Sequence, residues 1–269
     1  MKIYSALAIL IIFAACNGSD KEEVVDKTVI PVPTPAINYT IVAQYTHDTG
    51  AYTQGLEFYK GKLYEGTGDY KNSSLRITDY KTGNVEKKHI MGTDSIFGEG
   101  ITIFKNKIYQ LTWKNNIVYV YDINNIDKPE KTRKWPYQGW GLTNNGKDLI
   151  ISDGSANLYF VNPDDFKVKS AISVRDNSGN AVNYLNELEY IDGFVYANVY
   201  ESDFIVKIDP ESGHVTGKMD LTGTIQKFAP NYTPEPGDEV LNGIAYDSAS
   251  KKMFITGKRW PKMFEVRLN

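Results

Sequence analysis

From residue 39 onward the chain consists of short apolar segments separated by turn residues, and within many segments apolar and polar positions alternate. This alternation predicts half-buried β-strands, and no window has the period of an amphipathic helix. Five segments open alike, with a polar or aromatic side chain, then in four of them glycine, then an aliphatic residue. The openings are Gln54-Gly55-Leu56, Glu99-Gly100-Ile101, Trp140-Gly141-Leu142, Asn186-Glu187-Leu188 and Asn242-Gly243-Ile244.

The openings recur at intervals of roughly 40 to 55 residues, as in a radial array of small sheets. Each repeat supplies three strands, and a more polar fourth strand follows the first four repeats. The fifth repeat lacks one, whereas an extra strand at 39–45 precedes the first repeat. Pairing this strand with 263–266 would close a ring. The sequence therefore predicts an all-β fold, a five-bladed β-propeller whose N-terminal strand completes the last blade. A two-sheet sandwich is the alternative, but it offers no reason for one pattern to occur five times.

The N-terminus has the pattern of a secretory signal, with Lys2, an apolar run over 6–13 too short to span a membrane, and then Ala14-Ala15-Cys16. Cys16 is the only cysteine, and its place after two alanines resembles the bacterial lipobox, in which the cysteine is lipidated. We expect a lipoprotein signal peptide at 1–16, a flexible tether at 17–38 and the propeller at 39–269. The expected location is the bacterial cell envelope, as an outer-membrane lipoprotein facing the periplasm or the cell surface. An ordinary signal peptide with an incidental cysteine is the alternative.

The charge balance argues against several kinds of partner. With 30 Lys and Arg against 33 Asp and Glu, the net charge is −3, and no basic stripe supports binding to nucleic acid. The three histidines lie in predicted outer-strand regions, so a zinc site is not expected. Asp69, Asp153 and Asp203 near the strand ends are candidate ligands of a structural calcium ion, although aspartates are common in turns without metal. No other cofactor is expected.

The five openings predict where a site lies. The first strand of each blade lines the central channel and the second runs antiparallel to it, so the start of one and the end of the other share a face. The predicted second-strand ends are Gly68, Trp113, Gly154, Tyr200 and Lys258. One mouth then receives a carboxylate, a lysine, amides and aromatic walls, a composition typical of a small-molecule pocket. The alternative is that the tryptophans plug the channel and the polar residues cap strand ends.

Longer motifs surround these positions: FGEGIT at 97–102, YQLTWK at 109–114, GWGLT at 139–143, LNELEY at 185–190, LNGIAY at 241–246 and TGKRWP at 256–261. In this order, over about 39–268, they resemble the plant-type glutamine cyclotransferase family. The resemblance implies a five-bladed propeller that converts N-terminal glutamine into pyroglutamate with release of ammonia, by acid/base catalysis without a metal. Two positions depart from the family's pattern. Tyr200 stands where Trp is more frequent, which preserves an aromatic wall, and Gln138 stands where Glu is common.

The residues that match the family's proposed site are Gln54, Glu99, Trp113, Trp140, Asn186 and Lys258, and the chemistry of the reaction suggests their roles. We expect Glu99 to carry a proton from the attacking amine to the leaving nitrogen, and Asn186 and Lys258 to hold the oxyanion or orient the amide. The predicted substrate-binding residues are Gln54, Trp113, Trp140, Tyr200 and Asn242.

The partners expected from these assignments are peptides or proteins with N-terminal glutamine and, through Cys16, a membrane. The propeller is expected to be a monomer. The alternative function is a non-catalytic propeller that binds a peptide or a glycan at the same mouth, since a fold does not fix a function. Such a binder has no need of a proton shuttle.

Overall fold

The computed structural model describes residues 33–91 and 93–269, which form twenty β-strands and one short helix. The predicted signal peptide, Cys16 and most of the predicted tether lie outside the described residues, and these assignments stay predictions. In the part of the chain that is described, no helix is both long and apolar enough to cross a membrane.

The strands form five antiparallel sheets of four strands each, which confirms the predicted five-bladed propeller. The N-terminal strand is β1 (Tyr39–Thr46). Blades one and two are β2 (Thr53–Tyr59), β3 (Lys62–Thr67), β4 (Ser74–Thr78), β5 (Val85–Ile90), and β6 (Gly98–Phe104), β7 (Lys107–Thr112), β8 (Ile117–Asp122), β9 (Lys131–Lys134). Blades three and four are β10 (Leu142–Asn144), β11 (Leu149–Ser152), β12 (Asn157–Val161), β13 (Val168–Ser173), and β14 (Leu185–Ile191), β15 (Phe194–Val199), β16 (Phe204–Ile208), β17 (Val215–Asp220). The helix α1 (Thr224–Phe228) precedes blade five, which contains β18 (Leu241–Asp247), β19 (Lys252–Gly257) and β20 (Lys262–Leu268).

Blade five is completed by the N-terminal strand, as predicted. β1 pairs antiparallel with β20, with Tyr39 opposite Leu268 and Thr46 opposite Lys262. The edge that β20 would expose is therefore covered, and both ends of the propeller chain lie in one sheet.

The hydrophobic core lies between the blades. The first strands of adjacent blades contact one another around the axis. Five buried clusters each join two neighbouring blades, and in one of them Leu56 and Leu63 of blade one pack against Phe254 of blade five. Because each blade has an apolar face on both sides, its three inner strands are almost wholly buried, whereas outer strands such as β5 and β13 remain polar.

The last residues of the predicted tether contact blade four. The Ile37 backbone N–H donates to the Lys218 carbonyl at 2.8 Å, and the Lys218 N–H donates to the Pro35 carbonyl at 2.8 Å. Gly217 permits this approach, since a β-carbon there would lie 2.7 Å from Ile37. Residues 35–37 therefore cover the edge of β17, although the sequence placed them in a flexible tether. An extended segment without partners of its own satisfies its backbone groups on an open sheet edge.

Three of the four opening glycines, Gly55, Gly100 and Gly141, have a steric reason at the axis. A β-carbon on Gly100 would lie 2.6 Å from both the Trp140 carbonyl and the Leu142 amide of blade three. The equivalent glycines of blades one and three also face the backbone of the next blade. Glycine is therefore needed where neighbouring inner strands approach most closely.

Blade four carries Glu187 at this step instead. The Glu187 carboxylate is fully buried and accepts backbone N–H groups from Leu56 at 3.1 Å and from Ile244 at 2.8 Å. Since these donors belong to blades one and five, the Glu187 side chain joins three blades at the axis.

Candidate active site

β-Bulges in the innermost strands set the direction of the polar side chains at the openings. In blades two, four and five the ladder loses register across the opening, between Gly98 and Ile101, between Leu185 and Leu188, and between Leu241 and Ile244. Blade one has a similar shift between Thr53 and Gly55. A bulge bends the strand and redirects the side chain at the irregular position, and bulges occur frequently beside active sites.

A cavity of about 270 Å³ opens at this end of the propeller. This volume is near the lower limit of small-molecule pockets and suits a single amino-acid side chain. Nine residues line it: Tyr52, Gln54, Phe97, Glu99, Trp113, Trp140, Asn186, Tyr200 and Lys258. Seven of the eight catalytic and substrate-binding residues predicted from the sequence are therefore brought together.

The five aromatic residues of the cavity form a wall, which we call the aromatic rim. Ring centroids are 5.9 Å apart for Tyr52 and Phe97, 5.7 Å for Phe97 and Trp113, and 5.6 Å for Trp140 and Tyr200. These three edge-to-face contacts are favourable for aromatic pairs. The rim thus provides a rigid apolar wall with two gaps.

The two gaps in the aromatic rim are filled by polar side chains. Between the tryptophans, the Gln138 amide oxygen accepts the indole N–H of Trp113 at 2.8 Å and that of Trp140 at 3.1 Å. Between the tyrosines, the Lys258 ammonium lies 4.8 Å from the Tyr52 ring centroid and 4.5 Å from that of Tyr200. Both distances fall within the range of cation–π interaction.

Two predicted positions at the mouth are glycines because the rim occupies their space. A β-carbon on Gly154 would lie 2.6 Å from the Trp140 indole, and one on Gly68 would overlap the Phe97 ring. Gly154 also has a φ of 81°, which disfavours other residues. These glycines therefore make room for the aromatic walls and do not line the cavity themselves.

Three polar side chains at the cavity are available for a ligand. Glu99, Asn186 and Lys258 are 4%, 2% and 3% exposed. Among the described residues, the Asn186 Oδ1 atom has no hydrogen-bond partner. Within residues 33–91 and 93–269, no hydrogen bond joins the Glu99 carboxylate or the Lys258 ammonium to another residue, and each group lies near the opposite charge of the other. Buried polar groups are normally satisfied, so these three side chains are placed to bind a polar molecule that enters the cavity.

Glu99 and Lys258, the ionisable pair in the cavity, both have pKa values shifted from those of free side chains. Burial raises the pKa of Glu99 well above the ordinary value of 4.5, and the Lys258 ammonium opposes this rise. Burial lowers the pKa of Lys258 to about 8, against the opposing effect of the Glu99 and Asp238 carboxylates. The pKa of Glu99 is thus shifted upward and that of Lys258 downward, and shifts of this kind are typical of groups that transfer protons.

Asn242 does not line the cavity. Its side chain is fully buried, and its Nδ2 donates to the Thr53 carbonyl at 2.9 Å and to the Gln54 amide oxygen at 3.0 Å. The sequence predicted a substrate contact for Asn242, but the side chain lies behind Gln54, because the backbone of the neighbouring blade supplies it with acceptors. Since Asn242 engages the Gln54 oxygen, the Gln54 amide nitrogen is the group left for a ligand.

Two cavity residues, Tyr52 and Phe97, were absent from the predicted site. Each stands two residues before an opening residue, Gln54 or Glu99. Residues i and i+2 of a strand point to the same side, so this spacing was the available signal. Gln138 occupies the same place before Trp140.

The candidate calcium ligands do not converge. Asp69 pairs with Arg259 at 3.2 Å, whereas Asp153 accepts the Tyr159 hydroxyl at 3.0 Å. Within residues 33–91 and 93–269, no group of three or more His, Cys, Asp or Glu side chains is placed to hold a metal ion.

His47 follows an outer strand as predicted, but its side chain is buried. Its ring nitrogens contact the Trp260 carbonyl at 2.7 Å and the Glu65 carboxylate at 3.0 Å. The ring is therefore part of a structural network between β1 and blade one.

A family model described as glutamine cyclotransferase matches residues 7–268. The chain belongs to the glutamine cyclotransferase family. It is 41% identical over 230 residues to the glutaminyl-peptide cyclotransferase of Arabidopsis thaliana, covering 85% of this chain and 70% of that protein. The crystal structure of Myxococcus xanthus glutaminyl cyclase is similar with a TM-score of 0.80 and 34% identity, over 88% of this chain and 99% of that chain.

Membership of the glutamine cyclotransferase family makes this chain an enzyme. The non-catalytic alternative is not favoured, because both relatives are named for an enzymatic activity. The match also agrees with the five-bladed architecture that the strand pairing shows.

Gln138→Met is expected to release both rim tryptophans and lower the free energy of unfolding by about 1 kcal/mol, because two indole N–H groups lose their acceptor while side-chain length is kept. In ¹⁵N-indole NMR spectra the Trp113 and Trp140 signals should move. The Trp135 indole donates to the Gln138 backbone carbonyl at 3.0 Å, so its signal should stay.

Gln138→Glu is the matched control for this prediction. Glutamate keeps an acceptor oxygen of the same reach, so both tryptophan signals should remain near hydrogen-bonded positions. Unchanged Trp113 and Trp140 signals in Gln138→Met would contradict a role for Gln138 in holding the rim.

Proposed function

We propose that this protein is a glutaminyl-peptide cyclotransferase, which converts the N-terminal glutamine of peptides or proteins into pyroglutamate and releases ammonia. The observation that carries the proposal is the convergence of Glu99, Asn186 and Lys258 at one small aromatic-walled cavity. Among the described residues, the Glu99 carboxylate, the Asn186 Oδ1 atom and the Lys258 ammonium have no hydrogen-bond partner. The family and the two named relatives support the same reaction.

The first contribution of the site is to fold the substrate. The α-amine must approach the side-chain carbonyl carbon of its own residue, which requires a bent side chain. A cavity of about 270 Å³ walled by five aromatic rings favours a compact conformer over an extended one. In an intramolecular reaction this positioning supplies a large part of the rate enhancement.

Glu99 is the proton carrier in this proposal. The neutral amine forms the new C–N bond, the amide oxygen becomes an oxyanion, and the Glu99 carboxylate takes a proton from the attacking nitrogen. Glu99 then gives that proton to the side-chain amide nitrogen, the original C–N bond breaks, and ammonia leaves as the lactam carbonyl re-forms. The raised pKa of Glu99 supports both halves of this transfer.

Lys258 and Asn186 stabilise the tetrahedral intermediate. Lys258 is 3% exposed, so the attraction of its ammonium for an oxyanion is little weakened by water. Asn186 can donate through its amide nitrogen and accept a substrate N–H at its unpartnered oxygen. The Gln54 amide and the aromatic rim complete the binding surface.

The test is turnover of a Gln-starting peptide by the purified protein. We expect release of ammonia together with loss of one NH₃ from the peptide in the mass spectrum. The control peptide has the same sequence with an acetylated N-terminus, which lacks the attacking amine and should be unchanged. Binding of several Gln-starting peptides without any turnover would contradict the proposal and favour the binding-only alternative.

We also propose that lipidation of Cys16 anchors the enzyme to the outer membrane of the cell envelope, with the propeller on the periplasmic or the outer side. The proposal is supported by the sequence around Cys16 alone. Cys16→Ser should move the enzyme from the membrane fraction to the soluble fraction. Unchanged membrane association in that variant would contradict the anchor.

A further inference from the structure

The segment at 237–240, between α1 and β18, holds both tyrosines of the aromatic rim. The Tyr52 hydroxyl donates to Asp238 Oδ1 at 2.6 Å, and the Tyr200 hydroxyl donates to the Gly237 carbonyl at 2.8 Å. In addition, the Lys258 backbone N–H donates to the Val240 carbonyl at 2.9 Å. One short segment therefore contacts the three residues that meet at this gap in the rim.

These contacts determine where the Lys258 ammonium lies. It stands between the two tyrosine rings, 4.8 Å and 4.5 Å from their centroids. Because the hydroxyl of each ring is anchored on consecutive residues, the rings cannot turn independently of the segment. A shift of Asp238 would move the Tyr52 face against which the ammonium rests.

The charges facing Lys258 come from several elements. Glu99 on β6 and Asp238 on the 237–240 segment both favour its ammonium form, whereas burial opposes it and lowers the pKa to about 8. The neighbouring Arg259 pairs with Asp69 at 3.2 Å. Burial raises the pKa of the Tyr200 hydroxyl, and the Glu201 carboxylate raises it further. Asp238 is thus the carboxylate outside the cavity lining that acts directly on Lys258.

We propose that Asp238 is a positioning residue for Lys258, which fixes the place of the ammonium through Tyr52 and keeps it charged for oxyanion stabilisation. This inference rests on the proposed function of Lys258. Asp238 does not line the cavity and touches no reacting atom, so its effect on the reaction passes through Lys258 and Tyr52. Removing its charge should leave the walls of the cavity in place and change the pH range in which Lys258 works.

The test is Asp238→Asn, which keeps an oxygen acceptor for the Tyr52 hydroxyl and removes the charge. The Lys258 titration is followed by NMR with ¹³C-labelled lysine side chains, the Lys258 signal being the one that Lys258→Met removes. We expect its midpoint to fall by about half a pH unit, because a nearby negative charge no longer favours the ammonium. The midpoint of the alkaline limb in the pH profile of kcat/KM for a Gln-starting peptide should move to lower pH by the same amount.

Two variants serve as controls. Asp238→Glu retains the charge and should return both midpoints toward those of the wild type. Glu235→Gln removes one charge from the same loop, but Glu235 is exposed and does not act on Lys258, so both midpoints should stay.

Unchanged Lys258 titration in Asp238→Asn would overturn the inference, as would an equal shift in Glu235→Gln. The NMR titration does not depend on turnover. A wild-type protein that fails to cyclise Gln-starting peptides, but whose Lys258 midpoint shifts in Asp238→Asn, would contradict the proposed function while supporting the coupling of Asp238 to Lys258.

Discussion

Glu99→Gln is expected to lower kcat for a Gln-starting peptide by about 10²–10⁴-fold, the usual contribution of a general acid/base. Glutamine has the shape of glutamate but neither takes the proton from the attacking amine nor returns it to the leaving nitrogen. Because Glu99 has no hydrogen bond within the described protein to lose, the fold should be unaffected. The substrate still meets the aromatic rim, so KM should change far less than kcat.

Steady-state kinetics and thermal unfolding of the purified variant check this expectation. Glu57→Gln is the matched control, since Glu57 is a partly buried glutamate with a raised pKa on the inner strand of blade one and does not line the cavity. Its kcat should stay within about threefold of the wild type, as expected away from the chemistry. A Glu99→Gln enzyme with most of its kcat would rule out the proton-transfer role.

The blade number and most of the cavity residues were predictable because they follow from a steric requirement. Inner strands of neighbouring blades approach so closely that glycine recurs at one step, as at Gly100 and Gly141, and the residue before it then starts a strand at the mouth. The pairing of β1 with β20 was predictable as well, because these were the two strands that the repeat pattern left without a partner.

The features that the sequence did not reveal depend on contacts between distant residues. Tyr52 and Asp238 are 186 positions apart, and nothing local indicates that they bond. Asn242 occupies the same repeat position as Glu99, yet its side chain finds acceptors on the neighbouring blade and lies behind Gln54. Which side chain of a repeat reaches the cavity is thus decided by partners from other blades.

Glu187 is the exception among the five openings, and its removal should have a large effect on stability. Glu187→Ala is expected to lower the free energy of unfolding by about 2–4 kcal/mol, since the backbone N–H groups of Leu56 and Ile244 lose their buried acceptor and a cavity remains at the axis. Loss of the buried carboxylate also removes its desolvation cost, which keeps the net effect below the sum of these losses. Tm should fall by roughly 5–15 °C.

Denaturant unfolding and amide hydrogen exchange together test this expectation. The Leu56 and Ile244 amides should exchange faster in Glu187→Ala, whereas the Tyr246 amide, which donates to Glu189 at 2.8 Å, should keep its protection. Glu211→Ala makes the same substitution in an exposed turn and should change stability by less than about 0.5 kcal/mol. If Glu187→Ala were as stable as Glu211→Ala, with both axial amides still protected, the Glu187 carboxylate would not be what joins blades one, four and five. The glutamate would then be a tolerated variant of the glycine step, because the blades would hold their positions through the apolar clusters between them.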